Sequence, residues 1–245
     1  MAAGWPSPLL PTTYIYEQTR ASGGMANKRK ELKISGANLW YMVGLITSDG
    51  CLSSDGRHID ITAKEKSFLN VIKTATGVEN RIGNKYNYHG QQSHHIQIGN
   101  KNFYNFLLLT GLRPNKSLSV GALNISRKYF VDFLRGVIDG DGCIRKWTHP
   151  DNGCEQWSLR VYSGSGIFIK WLNYMTAGLL NITGRVYKED DNKWILKYGK
   201  MAAKEISRKC YYKHCLGLDR KIRLARECVN SHKGWGASKT VIALT

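Results

Sequence analysis

The chain has 245 residues, 42% of them hydrophobic, and carries 36 Lys and Arg against 18 Asp and Glu, a formal charge of +18. This supports one sizeable domain or two small ones, and it excludes a membrane span, because no apolar run approaches the roughly 20 residues required; the N-terminus also lacks the basic start and apolar core of a secretory leader. So large a cationic excess points to a polyanionic partner, and its spread along the chain predicts a broad nucleic-acid surface rather than a charged tail.

The six cysteines are Cys51, Cys143, Cys154, Cys210, Cys215 and Cys228, without a CxxC pair. A structural zinc site is not expected from that spacing. Reduced thiols in a prokaryotic cytoplasm or an organelle matrix, in a protein that is not secreted, are the expectation.

Residues 1–33 are rich in Pro, Ser, Thr, Gly and Ala and then basic at Asn27-Lys28-Arg29-Lys30. They read as a flexible basic arm. Periodicity begins near Ser35. A helix is predicted at 36–49. A strand follows in which Ile59 and Ile61 alternate with His58, Asp60 and Thr62. A helix at 65–76 presents Phe68, Leu69, Val71 and Ile72. Two strands flank the turn-like His89-Gly90-Gln91-Gln92, with Ile96 and Ile98 inward. A helix at 101–110 carries Phe103, Phe106 and Leu107 and ends at Gly111.

The order then repeats. A helix is expected at 127–141. A strand places Leu159 and Val161 inward and Ser158, Arg160 and Tyr162 outward. A helix covers 164–180, strands 184–189 and 193–198, and a last helix 200–209. This is duplication of a unit about a hundred residues long, too long and too few in number for a solenoid. The domains are therefore the arm 1–33, a first half 34–125, a second half 126–232 and a tail 233–245.

Each half opens on the same nine-residue pattern: Met42-Val43-Gly44-Leu45-Ile46-Thr47-Ser48-Asp49-Gly50 and Leu134-Arg135-Gly136-Val137-Ile138-Asp139-Gly140-Asp141-Gly142. Small residues recur at i, i+4 (Gly44/Ser48, Gly136/Gly140) and so lie on one helix face. Two such helices can approach until their backbones nearly touch. That approach would bring Asp49 and Asp141 together, and two close carboxylates repel unless a cation lies between them. A divalent metal is the simplest candidate. At the sixth position the second block has Asp139 where the first has Thr47, and Asp139 reads as structural.

The outward strand residues are poor in acids and rich in bidentate hydrogen-bonding types, which can read base edges in a major groove. Strand parity nominates Ser53, Arg57, His58, Asp60, Lys85, His95 and Gln97 in the first half. In the second it nominates Arg145, Trp147, Ser158, Arg160, Tyr187, Lys193 and Lys197.

These residues resemble a known family. The paired blocks look like the signature of the LAGLIDADG homing endonucleases in their single-chain, two-motif form, over about residues 36–230. Gly111-Leu112-Arg113-Pro114-Asn115-Lys116-Ser117 resembles the family's Gly-x-x-Pro-x-Lys-Ser stretch, and Leu218-Asp219-Arg220-Lys221 its second-half counterpart. The resemblance implies an α+β fold of two pseudo-symmetric αββαββα units, whose antiparallel sheets form a DNA-binding saddle. It implies a monomer making metal-dependent double-strand breaks at a long site, with short 3′ overhangs. Asp49 and Asp141 become the metal ligands, aided by the carbonyls of Ser48 and Gly140. Lys116 and Lys221 become the basic residues beside the scissile phosphates, with Arg220 as a rival to the latter. Mg2+ is the implied cofactor, Mn2+ a substitute, and Ca2+ an ion that supports binding with little turnover. Some relatives act on intron RNA as splicing cofactors, and a non-cutting DNA-binding regulator is a third use of the fold. Where some members hold a water-ordering glutamine this chain has Ala63 and Ser163.

Overall fold

A computed structural model describes residues 32–231. The predicted arm up to residue 31 and the predicted tail 233–245 lie outside the described residues. Leu32, assigned to the arm from the sequence, is buried in the core, and the backbone N–H of Lys33 donates to the carbonyl of Thr76.

The first half comprises α1 (Gly36–Asp49), β1 (Gly50–Leu52), β2 (His58–Ala63), α2 (Lys66–Thr76), β3 (Gly83–Tyr86), β4 (Gln92–Gly99) and α3 (Lys101–Leu109). The second comprises α4 (Phe130–Asp141), β5 (Gly142–Thr148), β6 (Glu155–Ser163), α5 (Gly166–Leu180), β7 (Arg185–Asp190), β8 (Lys193–Tyr198) and α6 (Lys200–Cys210), then α7 (Asp219–Asn230). Each half holds a four-stranded antiparallel sheet with the same order, β1-β2-β4-β3 and β5-β6-β8-β7.

Local chemistry sets the boundaries. The side chains of Asn100 and Ser165 accept from the backbone N–H groups of Phe103 (2.8 Å) and Phe168 (3.3 Å), capping α3 and α5. Helix α2 ends at Gly77, whose φ of 70° is left-handed and favours glycine. The helix expected at 127–141 starts as a 3-10 turn over Arg127–Tyr129 and becomes α-helical only at Phe130. Val71, expected among the apolar residues of α2, is instead 41% exposed.

Alternation divides each sheet into two faces. Ile59, Ile61, Ile96 and Ile98, with Leu159, Val161, Leu196 and Tyr198, join the helices in one hydrophobic cluster. The opposite faces carry most of the polar strand residues.

Helices α1 and α4 occupy the middle of that cluster. Helix α1 is buried all round, including Leu39, Trp40, Tyr41, Met42, Val43, Leu45 and Ile46. Its approach to α4 is as close as the small residues allow. A Cβ at Gly44 would lie 2.0 Å from the carbonyl oxygen of Phe133, and one at Gly136 would lie 2.1 Å from that of Tyr41. Both obstacles are backbone atoms, which cannot swing aside.

Gly136→Ala and Gly44→Ala must therefore separate the helices. Each is expected to destabilise the protein by about 3 kcal/mol or more, the upper end of overpacking. Gly178→Ala, in a helix and with nothing near its would-be Cβ, should instead be neutral or stabilising. Urea unfolding of the three variants checks this; equal stabilities would refute the backbone contact.

Candidate metal centre and nucleic-acid face

The close helix pair ends in two acids side by side. Asp49 is the last residue of α1 and Asp141 the last of α4. A Cβ at Gly140 would lie 2.0 Å from Ser48 Oγ and 3.3 Å from Asp49 Cγ, so the missing side chain at 140 makes room chiefly for Ser48, with the first acid close beside it. Both carboxyl groups keep an exposed edge. The surrounding protein nevertheless strips water from them. Burial raises the pKa of Asp49 against the pull of Lys221, Lys116 and Arg220. Burial and then the charge of Asp49 push Asp141 up to about 6.

The two lysines are not solvated loop residues. Lys116 and Lys221 are 5% and 2% exposed. Lys116 Nζ donates to the carbonyl of Gly50, immediately after α1. Lys221 Nζ donates to the carbonyls of Ile138 (2.5 Å), Asp139 (2.6 Å) and Gly140 (3.3 Å), at the end of α4. Each thus caps a helix C-terminus beside an acid. Burial lowers the pKa of both, that of Lys221 to about 8. Arg220 is half exposed and pairs with Glu65 at 3.0 Å, while its charge still acts on Asp49. Of the carbonyls implied as further metal ligands, that of Gly140 already accepts from Lys221, while Ser48 uses its hydroxyl on Gly44 and Leu45.

Asp139 is buried and accepts from Tyr211 (2.7 Å), Tyr41 (2.9 Å) and the backbone N–H of Leu218 (2.8 Å). It fixes the start of α7, the helix that carries Lys221. Thr47, its counterpart, merely donates to the carbonyl of Val43.

The donor set fits a hard cation. Two carboxylates converge, and among the described residues no group of three or more His, Cys, Asp or Glu is arranged to hold a metal. Mg2+ suits such a half-built site, since it commonly takes one or two carboxylates and completes its shell with water and substrate phosphates. In that case Asp49 and Asp141 would hold it.

The predicted contact residues mostly share one sheet face. Register places His58, Asp60, His95, Gln97 and Lys85 on the first face and Arg145, Trp147, Ser158, Arg160, Tyr187, Lys193 and Lys197 on the second. Three positions differ from the expectation. Ser158, expected to point outward, is fully buried with its hydroxyl unpartnered among the described residues; it pairs across strands with the much larger Arg145. Arg57 lies in the turn before β2, outside the alternation. Ser53 follows β1 in the same turn, and its carbonyl accepts from Tyr104 at 2.6 Å.

Several nominated side chains already have partners. His58 pairs with Asp55, whose carboxyl this holds well below the usual range. Lys193 pairs with Glu189 at 2.5 Å, and the Arg145 guanidinium lies 5.9 Å from the centre of the Trp147 ring. Parity also places Arg185 and Tyr162 on the second face, although neither was nominated as a contact. The alternation of Arg185 with Tyr187 was the available signal. Sequence reasoning also gave no role to Arg135, which is fully buried on Asp132 (2.8 Å) and the carbonyls of Leu216 and Cys210.

The architecture is the LAGLIDADG two-unit fold. No family model and no curated protein matches the sequence. Among solved structures, the homing endonuclease I-WcaI bound to its DNA recognition sequence aligns with TM-score 0.57 at 13% identity, over 83% of this chain and 97% of that one. The I-SmaMI LAGLIDADG homing endonuclease bound to cleaved DNA aligns with TM-score 0.54 at 12% identity, over 81% and 90%. Full-length DUF199/WhiA from Thermatoga maritima aligns with TM-score 0.50 at 14% identity, over 89% of this chain but only 65% of that one. Among the described residues no helix is long and apolar enough to cross a membrane.

The raised pKa of Asp141 has a measurable sign. The folded state holds this proton more tightly than the unfolded chain, so ionising it costs stability. The penalty is absent below pH 4 and complete once pH has risen through about 6. In metal-free buffer, wild type is expected to lose more thermal stability than Asp141→Asn between pH 4.5 and 7.5. Added Mg2+ should restore wild type selectively. Parallel melting curves for the two proteins would overturn this electrostatic reading.

Proposed function

We propose that the protein is a site-specific, divalent-metal-dependent DNA endonuclease that acts as a monomer. The observation that carries this reading is the pairing of Asp49 with Asp141, flanked by Lys116 and Lys221, beside two polar sheet faces. Each half contributes one acid and one lysine, so a single chain holds both halves of a double-strand-cleaving centre.

A bound Mg2+ would acidify water and offset charge on the phosphate oxygens. The residues of the chain do the rest. Asp49 and Asp141 would anchor the cation. Lys116 and Lys221 hold positive charge beside the acids in a partly dehydrated setting, where it acts strongly on a developing phosphorane charge. The polar sheet faces bind the duplex, with phosphates giving register and base edges giving sequence.

The DNA-bound endonucleases with this fold support the same reading. A pure DNA-binding regulator would use the surface but not the acids, and for it two carboxylates held together would only repel phosphates. A splicing cofactor binding intron RNA would use the same surface, with or without nuclease activity.

Asp49→Asn and Asp141→Asn should each abolish double-strand cleavage of a randomised DNA library in Mg2+ while leaving DNA binding intact. Cleavage at wild-type rate by either variant would refute the assignment. Wild-type binding should also weaken steeply with salt, the slope scaling with the number of phosphates neutralised. Affinity independent of ionic strength would rule out a polyanionic partner.

A further inference from the structure

The two sheets share one plan, yet their equivalent central rows carry opposite chemistry. Gly50 and Gly142, which follow the paired acids, face Ile61 and Val161 across the strands. One step further along, the first sheet reads Cys51, Asp60 and Gln97 from strand to strand. The same row in the second sheet reads Cys143, Arg160, Lys197 and Arg185.

Neither row is comfortable in the free protein. In the second, Lys197 stands directly between two arginines, and like charges opposite each other destabilise a sheet. Arg160 leans on Tyr162, but its Nε is buried without a partner among the described residues. This row requires acceptors. In the first, Asp60 is an acidic group on a face that would meet phosphates. It accepts from Gln97 Nε2 at 3.3 Å and lies 3.5 Å from His95 Nδ1. A carboxylate has about four lone-pair sites and no proton to donate, and Asp60 remains only half buried. This row offers acceptors and requires a donor.

Base edges in the major groove supply both. Cytosine presents the N4 amino donor, and guanine presents O6 and N7 acceptors that suit a guanidinium bidentately. Resting on the DNA-binding reading above, we propose that Asp60, held by Gln97, selects cytosine in one half-site. Arg160, backed by Lys197, selects guanine at the equivalent step of the other. The pseudo-symmetric protein thereby reads a target whose halves differ at that step, and cannot accept the same base in both.

Binding selection of randomised duplexes in Ca2+ tests this on the full-length protein. With each half read outward from the centre on its own symmetry-related strand, wild type should enrich a long site with cytosine at one step in the first half and guanine at the same step in the other, so that along a single strand both steps are cytosine. Asp60→Ala should reduce the cytosine preference about 10-fold and leave the guanine, and Arg160→Ala should do the reverse. Asp60→Arg should convert the cytosine preference to guanine, a gain that misfolding cannot produce. If the alanine variants enrich the wild-type site, or blur both halves equally, the proposal is wrong. If wild type enriches no sequence at all, the DNA-binding reading beneath it falls as well.

Discussion

The contact on which the rest of the molecule depends is between two backbones. Where α1 crosses α4, the Gly44 and Gly136 positions leave no room for even one carbon atom. This closeness sets the register between the halves, because sliding either helix would drive a side chain into a main chain. It also decides which residues end up side by side where the two helices finish, Asp49 and Asp141 among them. The core on either side is ordinary: isoleucine and leucine strands on apolar helices. Exact placement of one half on the other comes from the absence of side chains.

The end of that helix pair is electrostatically costly. A helix C-terminus carries partial negative charge from unpaired carbonyls. Here two such ends converge, each finishing in an aspartate, and neither helix has a basic residue in its last turn. The compensation comes from far along the chain. Lys116 arrives on a 3-10 turn preceded by Asn115 in a left-handed conformation (φ 55°). Lys221 arrives in the first turn of α7. Both lysines are buried against carbonyls, at a desolvation cost that lowers their pKa values. Structures tolerate such arrangements mainly where function demands them. The residual repulsion is what a divalent cation would relieve.

Much of this was legible in the sequence because it rests on small residues and strict alternation. Glycine at i, i+4 before an acid announces a close helix pair, and Ile59/Ile61 or Leu159/Val161 announce a two-faced sheet. Other parts were hidden for physical reasons. Strand β1 is only Gly50–Leu52, too short to show a period, and β5 sets two adjacent cations, Arg145 and Lys146, before Trp147 and has only Ile144 buried. Helix α7 escaped notice because Asp219-Arg220-Lys221-Ile222-Arg223 reads as a solvated charge run; its buried residues are Lys221, Ala225 and Cys228. A lysine as a core residue cannot be inferred from hydropathy. Ser158 has the right parity for the open face, but parity does not reveal that its neighbours cover it.

The departure from symmetry at position six of the signature then acquires a structural meaning. In the second half, Asp139 gathers two tyrosine hydroxyls and the Leu218 N–H, pinning the start of α7. With that helix fixed, Lys221 reaches three successive carbonyls of α4. In the first half Thr47 satisfies itself within its own helix, and Lys116 holds the single carbonyl of Gly50. Duplication supplied two equivalent acids and two equivalent lysines. What differs is the scaffold behind each lysine: a buried, fully engaged carboxylate in one half and a self-contained hydroxyl in the other. A symmetric centre is thus held by asymmetric supports, and the same divergence appears on the sheet faces, where Asp60 stands opposite in character to Arg160.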